Sequence, residues 1–173
     1  MVAKVLKADL EKQGVQVILT KNSENEYVKN RRRADIANEA HADLMVRLHC
    51  DAASGSGFTT YYPDRQGRSE GRLGPSKELL KIEAPIAKAF HAVLAKNLHG
   101  FLTNNGLKGD EYTAVGRGQG ALTGSIFSEV PVVLVEMVVL TNRGDETKVS
   151  TEEGRARVAD ALAKATMKAI ENR

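Results

Sequence analysis

Two residues break the patterns around them in ways that chemistry could use. His49 closes the apolar run of "DLMVRLHCDAA", Asp43 to Ala53, and Glu136 interrupts "VPVVLVEMVVL", Val130 to Leu140, the most apolar stretch of the chain. A carboxylate placed in a buried strand without a partner is costly. An imidazole titrates near neutral pH and ligates metals through either ring nitrogen. Brought together at strand ends, where ligands of open α/β sheets gather, the two make a metal or acid–base site. The competing reading is structural: a histidine at a strand end is often only a hydrogen-bonded member of the fold. No other group has as strong a claim. His41, His91 and His99 fall on helix faces or at a helix end, and Cys50 reads as a small packed side chain. Arg31 to Arg33 read as a solvated helix face, and "GRGQG", Gly116 to Gly120, lacks the clear preceding strand that a phosphate loop requires.

The elements that must position this pair follow from periodicity. Val2, Val5, Leu6 and Leu10 recur at helical spacing, with Gly14 placed for a left-handed terminus. "VQVILT", Val15 to Thr20, is rich in β-branched residues and predicts a buried strand. "NRRRADIANEAHAD" puts Ile36, Ala37 and Ala40 on one helical face, and Leu44 to His49 follows as a second strand. "GSGFTTYY", Gly55 to Tyr62, predicts a turn and a further strand, while the polar segment Pro63 to Lys77 reads as a surface loop. A helix is expected from Pro85, with proline in its first turn and Gly100 as its stop. "STEE", from Ser150, resembles a capping box ahead of a last helix whose buried stripe includes Val158, Ala161, Leu162 and Ala165. Helical segments that alternate with apolar strands predict an α/β fold, a three-layer α/β/α domain with a mostly parallel central sheet. Val15–Thr20, Leu44–His49 and Val132–Glu136 are expected side by side, or nearly so, within it.

Composition bounds the partners. The chain of 173 residues carries a formal charge of +3 with its cations scattered, which gives no ground for a nucleic-acid partner. One cysteine cannot form an internal disulfide, and no apolar run approaches a membrane span. "MVAKVLKADLEKQG" lacks the apolar centre and cleavage site of a signal peptide. The oligomeric state is not legible.

The ordered set "VILTK", "RADIANEAHADLMVRLHCDAA", "NNGLK" and "VPVVLVEMVVLTNRGDE" resembles the zinc-dependent N-acetylmuramoyl-L-alanine amidases of the amidase-3 class. The resemblance runs almost from end to end. It implies hydrolysis of the amide between N-acetylmuramic acid and L-alanine in peptidoglycan, with Zn2+ as cofactor, His49 as a metal ligand and Glu136 as the catalytic residue. It further implies an exported autolysin-type hydrolase that acts in the cell wall or periplasm. Arg47 stands where the family usually has serine, and Met137 and Val138 where it has a glycine and an aromatic. The family's first histidine ligand and its glutamate ligand match segments upstream of Met1, and Glu11 lies at the wrong end of its helix to substitute. The expectation is therefore one amidase-like catalytic domain over residues 1–173, incomplete at its N-terminus, that binds zinc weakly and hydrolyses peptidoglycan poorly. Two alternatives remain open: a noncatalytic peptidoglycan-binding or regulatory domain of the same fold and, less well supported, a nucleotide-binding α/β domain.

Overall fold

The computed structural model describes residues 1–23 and 25–172. In chain order the elements are α1 (Val2–Glu11), α2 (Asn30–Glu39), β1 (Met45–Asp51), β2 (Phe58–Tyr62), β3 (Gly67–Ser69), β4 (Arg72–Gly74), α3 (Lys77–Leu98) and β5 (Asn104–Gly109). A single 3-10 turn, Asp110–Tyr112, leads to α4 (Ala114–Gln119), α5 (Thr123–Ile126), β6 (Val132–Val139), α6 (Arg143–Ser150) and α7 (Glu152–Glu171). The main sheet has four strands in the order β1-β6-β2-β5. β1 runs parallel to β6 and β2 parallel to β5, while β2 and β6 are antiparallel. The α/β fold with a mostly parallel sheet and helices on both faces is as the sequence predicts.

Alternation along β6 divides the interior. Val133 and Val135 face α1, α3 and α7, where Leu6, Phe90, Leu94 and Leu162 complete the larger core. Val132 and Met45 face α2 and α5 and pack with Ala34, Ala37, Ile126 and Phe127. The α3/α7 layer is sealed by long amphipathic helices; the α2/α5 layer is thinner, and it is the face toward which His49 and Glu136 point.

Three expectations are corrected. Val15–Thr20 forms no strand and enters no ladder among the described residues. The Val15 N–H donates to the Leu10 carbonyl and the Val17 carbonyl accepts from Lys7 Nζ, so α1 satisfies groups that a sheet partner would otherwise take. Val15 and Val17 still rest against the larger core, which accounts for the alternating apolar pattern without a ladder. Pro63–Lys77 is a built hairpin, β3–β4, closed by Glu70 and Gly71, both with positive φ (48° and 79°), as a two-residue turn of matching twist requires. α3 starts at Lys77, with Ser76 accepting from the Leu79 N–H, and Pro85 lies inside it. The exposed position of Pro85 lets water reach the Lys81 carbonyl that has lost its donor. Two smaller corrections concern single residues. Thr151 caps α7 in place of Ser150, and Cys50, next to the end of β1 and beyond the packed Val46 and Leu48 of its face, is exposed.

Candidate active site

Register brings the candidate pair together. His49 pairs with Glu136 across β1 and β6, and Thr59 flanks Glu136 on the other side through β2. His49 Nδ1 lies 3.9 Å from Glu136 Oε1. Immediately beyond, β6 spends two residues, Met137 and Val138, against the single Cys50 of β1, so the next pair is Asp51 with Val139. This bulge returns Val138 to the larger core and keeps Asp51 on the same face as His49 and Glu136.

The loops beyond the strands are fastened by side chains from the segment after β6. Buried Asp145 accepts from the Gly57 N–H at 2.6 Å and the Val139 N–H at 3.1 Å, which ties the β1–β2 loop to the end of β6. Asn142 caps α6 by accepting from the Gly144 and Asp145 N–H groups, and it donates to the Gly55 carbonyl. Thr141 donates to the Ala53 carbonyl. Gly57 (φ 93°) packs so close to the Thr103 backbone that a Cβ there would collide with the Thr103 carbonyl oxygen.

Beneath the pair lies a buried cation. Arg47, two residues before His49 on the same face of β1, is 6% exposed and donates from Nη2 to Asn30 Oδ1 at 3.2 Å. Its guanidinium lies against Gly124, where an added Cβ would sit 2.8 Å from Arg47 Cζ. Asp110, also buried, accepts from the Leu122 N–H through Oδ2. Burial raises the Asp110 pKa, opposed by its hydrogen bonds and by Arg47. Periodicity alone could have found Arg47, since residues two apart share a strand face; Asp110, Asp145 and Asn30 come from the starts of distant helices and carry no such signal.

These surroundings set the protonation states. Burial, then Arg47 and Arg33, pull the His49 pKa down to about 4. Burial and the Asp51 carboxylate push Glu136 up to about 7, against the lowering effect of Arg47. At neutral pH His49 is therefore a neutral imidazole, and the 3.9 Å approach is not an ion pair. Glu136 exchanges its proton near neutrality, the property required of a group that takes a proton in one step and returns it in another.

Within the site, His49 Nε2, Glu136 Oε2, Arg47 Nε and Nη1 and Asp110 Oδ1 are buried polar atoms with no hydrogen-bond partner. A neutral imidazole with a free, inward nitrogen suits a metal ligand. A catalytic zinc, however, takes three protein ligands and a water. No group of three or more His, Cys, Asp or Glu that could hold a metal ion occurs among the described residues. The described residues thus do not make up a zinc site by themselves.

The family model for N-acetylmuramoyl-L-alanine amidase matches residues 1–168. The N-acetylmuramoyl-L-alanine amidase Rv3717 of Mycobacterium tuberculosis is 28% identical over 160 residues, 91% of this chain and 61% of that protein. The uncharacterized protein YqiI of Bacillus subtilis is 25% identical over 156 residues, 88% of this chain and 63% of that protein. The chain therefore spans less than two thirds of either relative. Among solved structures, the N-acetylmuramyl-L-alanine amidase Ami1 of Mycobacterium smegmatis superposes with a TM-score of 0.78 at 21% identity, covering 99% of this chain and 74% of that one.

Proposed function

This chain belongs to the N-acetylmuramoyl-L-alanine amidase family, and on that premise we propose that residues 1–173 act as a catalytic domain that hydrolyses the amide between N-acetylmuramic acid and L-alanine in peptidoglycan. The observation that carries the reading is the pair itself: a carboxylate with a pKa near 7 whose Oε1 lies 3.9 Å from Nδ1 of a neutral imidazole, each side chain keeping a buried atom without a partner. Glu136 takes the proton of the water that attacks the carbonyl and returns one to the leaving amine of L-alanine. Arg47 and Asp51 hold its pKa between them, and Asp145 fixes the loop that borders it. The site of action on this reading is the cell wall or periplasm. No described helix is long and apolar enough to cross a membrane.

Zinc enters the proposal only through His49, whose free Nε2 is the nitrogen available to it. When bound, the metal supplies charge to polarise the amide carbonyl. One imidazole holds zinc poorly, so after dialysis these 173 residues are expected to retain well under one zinc per chain. Stoichiometric metal would reveal ligands that the described residues do not show. The activity itself is tested by digesting purified peptidoglycan, with zinc in the buffer, and scoring new L-alanine amino termini. Release of reducing sugar ends or of another amino terminus in their place would overturn the assignment. A noncatalytic wall-binding role predicts binding with no new termini. The unpartnered atoms of His49 and Glu136 favour catalysis, since a purely structural pair would be expected to satisfy each other or the backbone.

A further inference from the structure

The cation-lined groove at the C-terminal end of α3 is used by nothing described above. It encloses about 850 Å³ between the end of α3, the α3–β5 loop and α6. Lys96, His99, Thr103, Asn104 and Lys148 line it around Phe101, and no acidic side chain does. Lys148 Nζ stands 5.8 Å and Arg157 Cζ 4.5 Å from the centroid of the Phe101 ring, so the aromatic gathers two cations at the groove wall. Other cations of the same layer are neutralised: Lys164 pairs with Asp160 and Lys168 with Glu171. Among the described residues, no carboxylate lies within 4.0 Å of Lys96, Lys148 or Arg157. Like charges gathered in a concave wall and left without a carboxylate partner favour an anion there.

The groove's place in the fold says which anion. Asn104 pairs with Phe58 at the start of β2, and the next residue, Thr59, pairs with Glu136. Two strand spacings, roughly 10 Å, separate the β5 end of the sheet from the catalytic strand. The rim between them is built by the Phe58 N–H donating to the Thr103 carbonyl and by Asn105 donating to the Ser56 carbonyl. Glu136 faces the α2/α5 side of this rim and the groove lies on the α3/α7 side, so a ligand bound at both must be extended and cross the rim. We propose that this groove is a subsite for a carboxylate-bearing peptide segment of the same polymer. The proposal rests on the amidase reading, which supplies a polymer whose peptides carry free carboxylates next to the bond cleaved.

The test is pelleting of the protein with insoluble peptidoglycan sacculi at low ionic strength. It compares wild type, the Lys96→Glu/Lys148→Glu double variant, the milder Lys96→Gln/Lys148→Gln, and Lys81→Glu as a control charge reversal at the far end of α3. The double reversal is expected to weaken binding about tenfold and the neutral pair about threefold, with Lys81→Glu unchanged. On sacculi whose carboxyls have been converted to amides, wild type should weaken by a similar factor and the variants should no longer differ from it. Equal binding by all proteins would overturn the subsite. So would a wild-type advantage that survives amidation, which would place the anion in a phosphate-bearing wall polymer instead. Failure of the amidase reading shows separately, as absence of new L-alanine termini in a wild-type digest.

Discussion

The two faces of the sheet are built to opposite rules. On the α3/α7 face a buried carboxyl, Glu83, is 0% exposed, and both its oxygens lie within reach of the Val132 N–H at 3.2 and 3.3 Å. On the other face Arg47, His49, Glu136 and Asp110 keep buried atoms without partners. Both faces contain a carboxyl whose pKa burial raises, Glu83 to about 9 and Glu136 to about 7. The difference is what each group is left free to do. Glu83 is protonated at neutral pH and engaged by the backbone; Glu136 is poised between its two states and unengaged. Displacement of the pKa alone therefore does not mark a functional group, whereas displacement together with an unsatisfied atom in a cleft does.

Truncating the sealed face should cost the most stability. Phe90→Ala, at a position with 0% exposure, is expected to lower the unfolding free energy by ~3–5 kcal/mol in chemical denaturation, through lost burial and a residual cavity. Its effect on the site should follow from stability alone. A loss of activity under conditions where the variant remains folded would blur the distinction between the faces. Asp145→Ala strikes the fastening of the site and leaves the Gly57 and Val139 N–H groups without their acceptor. About 1–3 kcal/mol of stability should go with it, and activity should fall further than stability accounts for.

How far these groups were legible beforehand differs in the same way. His49 and Glu136 are visible because each violates a local pattern, and β1 and β6 are visible because their patterns are nearly continuous. Val15–Thr20 has the composition of a strand, but composition does not encode a partner, and the structure gives it none. The β3–β4 hairpin reads as a loop because its glycines signal turns. Only tertiary contact shows that Gly67 and Gly74 pack against the backbone around Gln119, Ala121 and Ile126, where no side chain fits. Asp110 and Asp145 lie in the first turns of short polar helices, and their importance depends on backbone groups from other parts of the chain that sequence spacing cannot reach.

Arg47→Met sharpens the electrostatics of the site face. A half-satisfied buried cation contributes little net stability, so the apolar replacement should leave the unfolding midpoint unchanged or raise it. The cation lowers the Glu136 pKa, so its removal should raise that pKa. The acid limb of kcat/KM, expected near pH 7 in wild type because the base must be ionised, should then move to higher pH. A limb that stays in place would mean that Glu136 is not the group titrating.

Glu83→Gln should be nearly silent at pH 5 and diverge from wild type as pH rises. Because folding raises this carboxyl from 4.5 to about 9, its contribution is fully present below pH 4.5 and is lost as pH rises toward 9. Wild-type stability should fall across that window, and the glutamine variant should fall less. The Tm of the glutamine variant should exceed that of wild type by a margin that widens toward pH 9, and the two should converge near pH 5. A constant offset at every pH would show that Glu83 does not carry the linkage.

The most direct test of the account sets the two buried carboxyls against each other in one assay. The rate of appearance of new L-alanine amino termini from purified peptidoglycan is measured at pH 7.5 (~0.5 unit above the expected Glu136 value) for wild type, Glu136→Gln and Glu83→Gln. Circular dichroism checks that each is folded. Loss of the proton carrier predicts a fall of about a thousandfold for Glu136→Gln with the fold intact, and a rate within about twofold of wild type for Glu83→Gln. A Glu136→Gln protein that retains most of the wild-type rate, or two variants that lose it equally, would contradict the account.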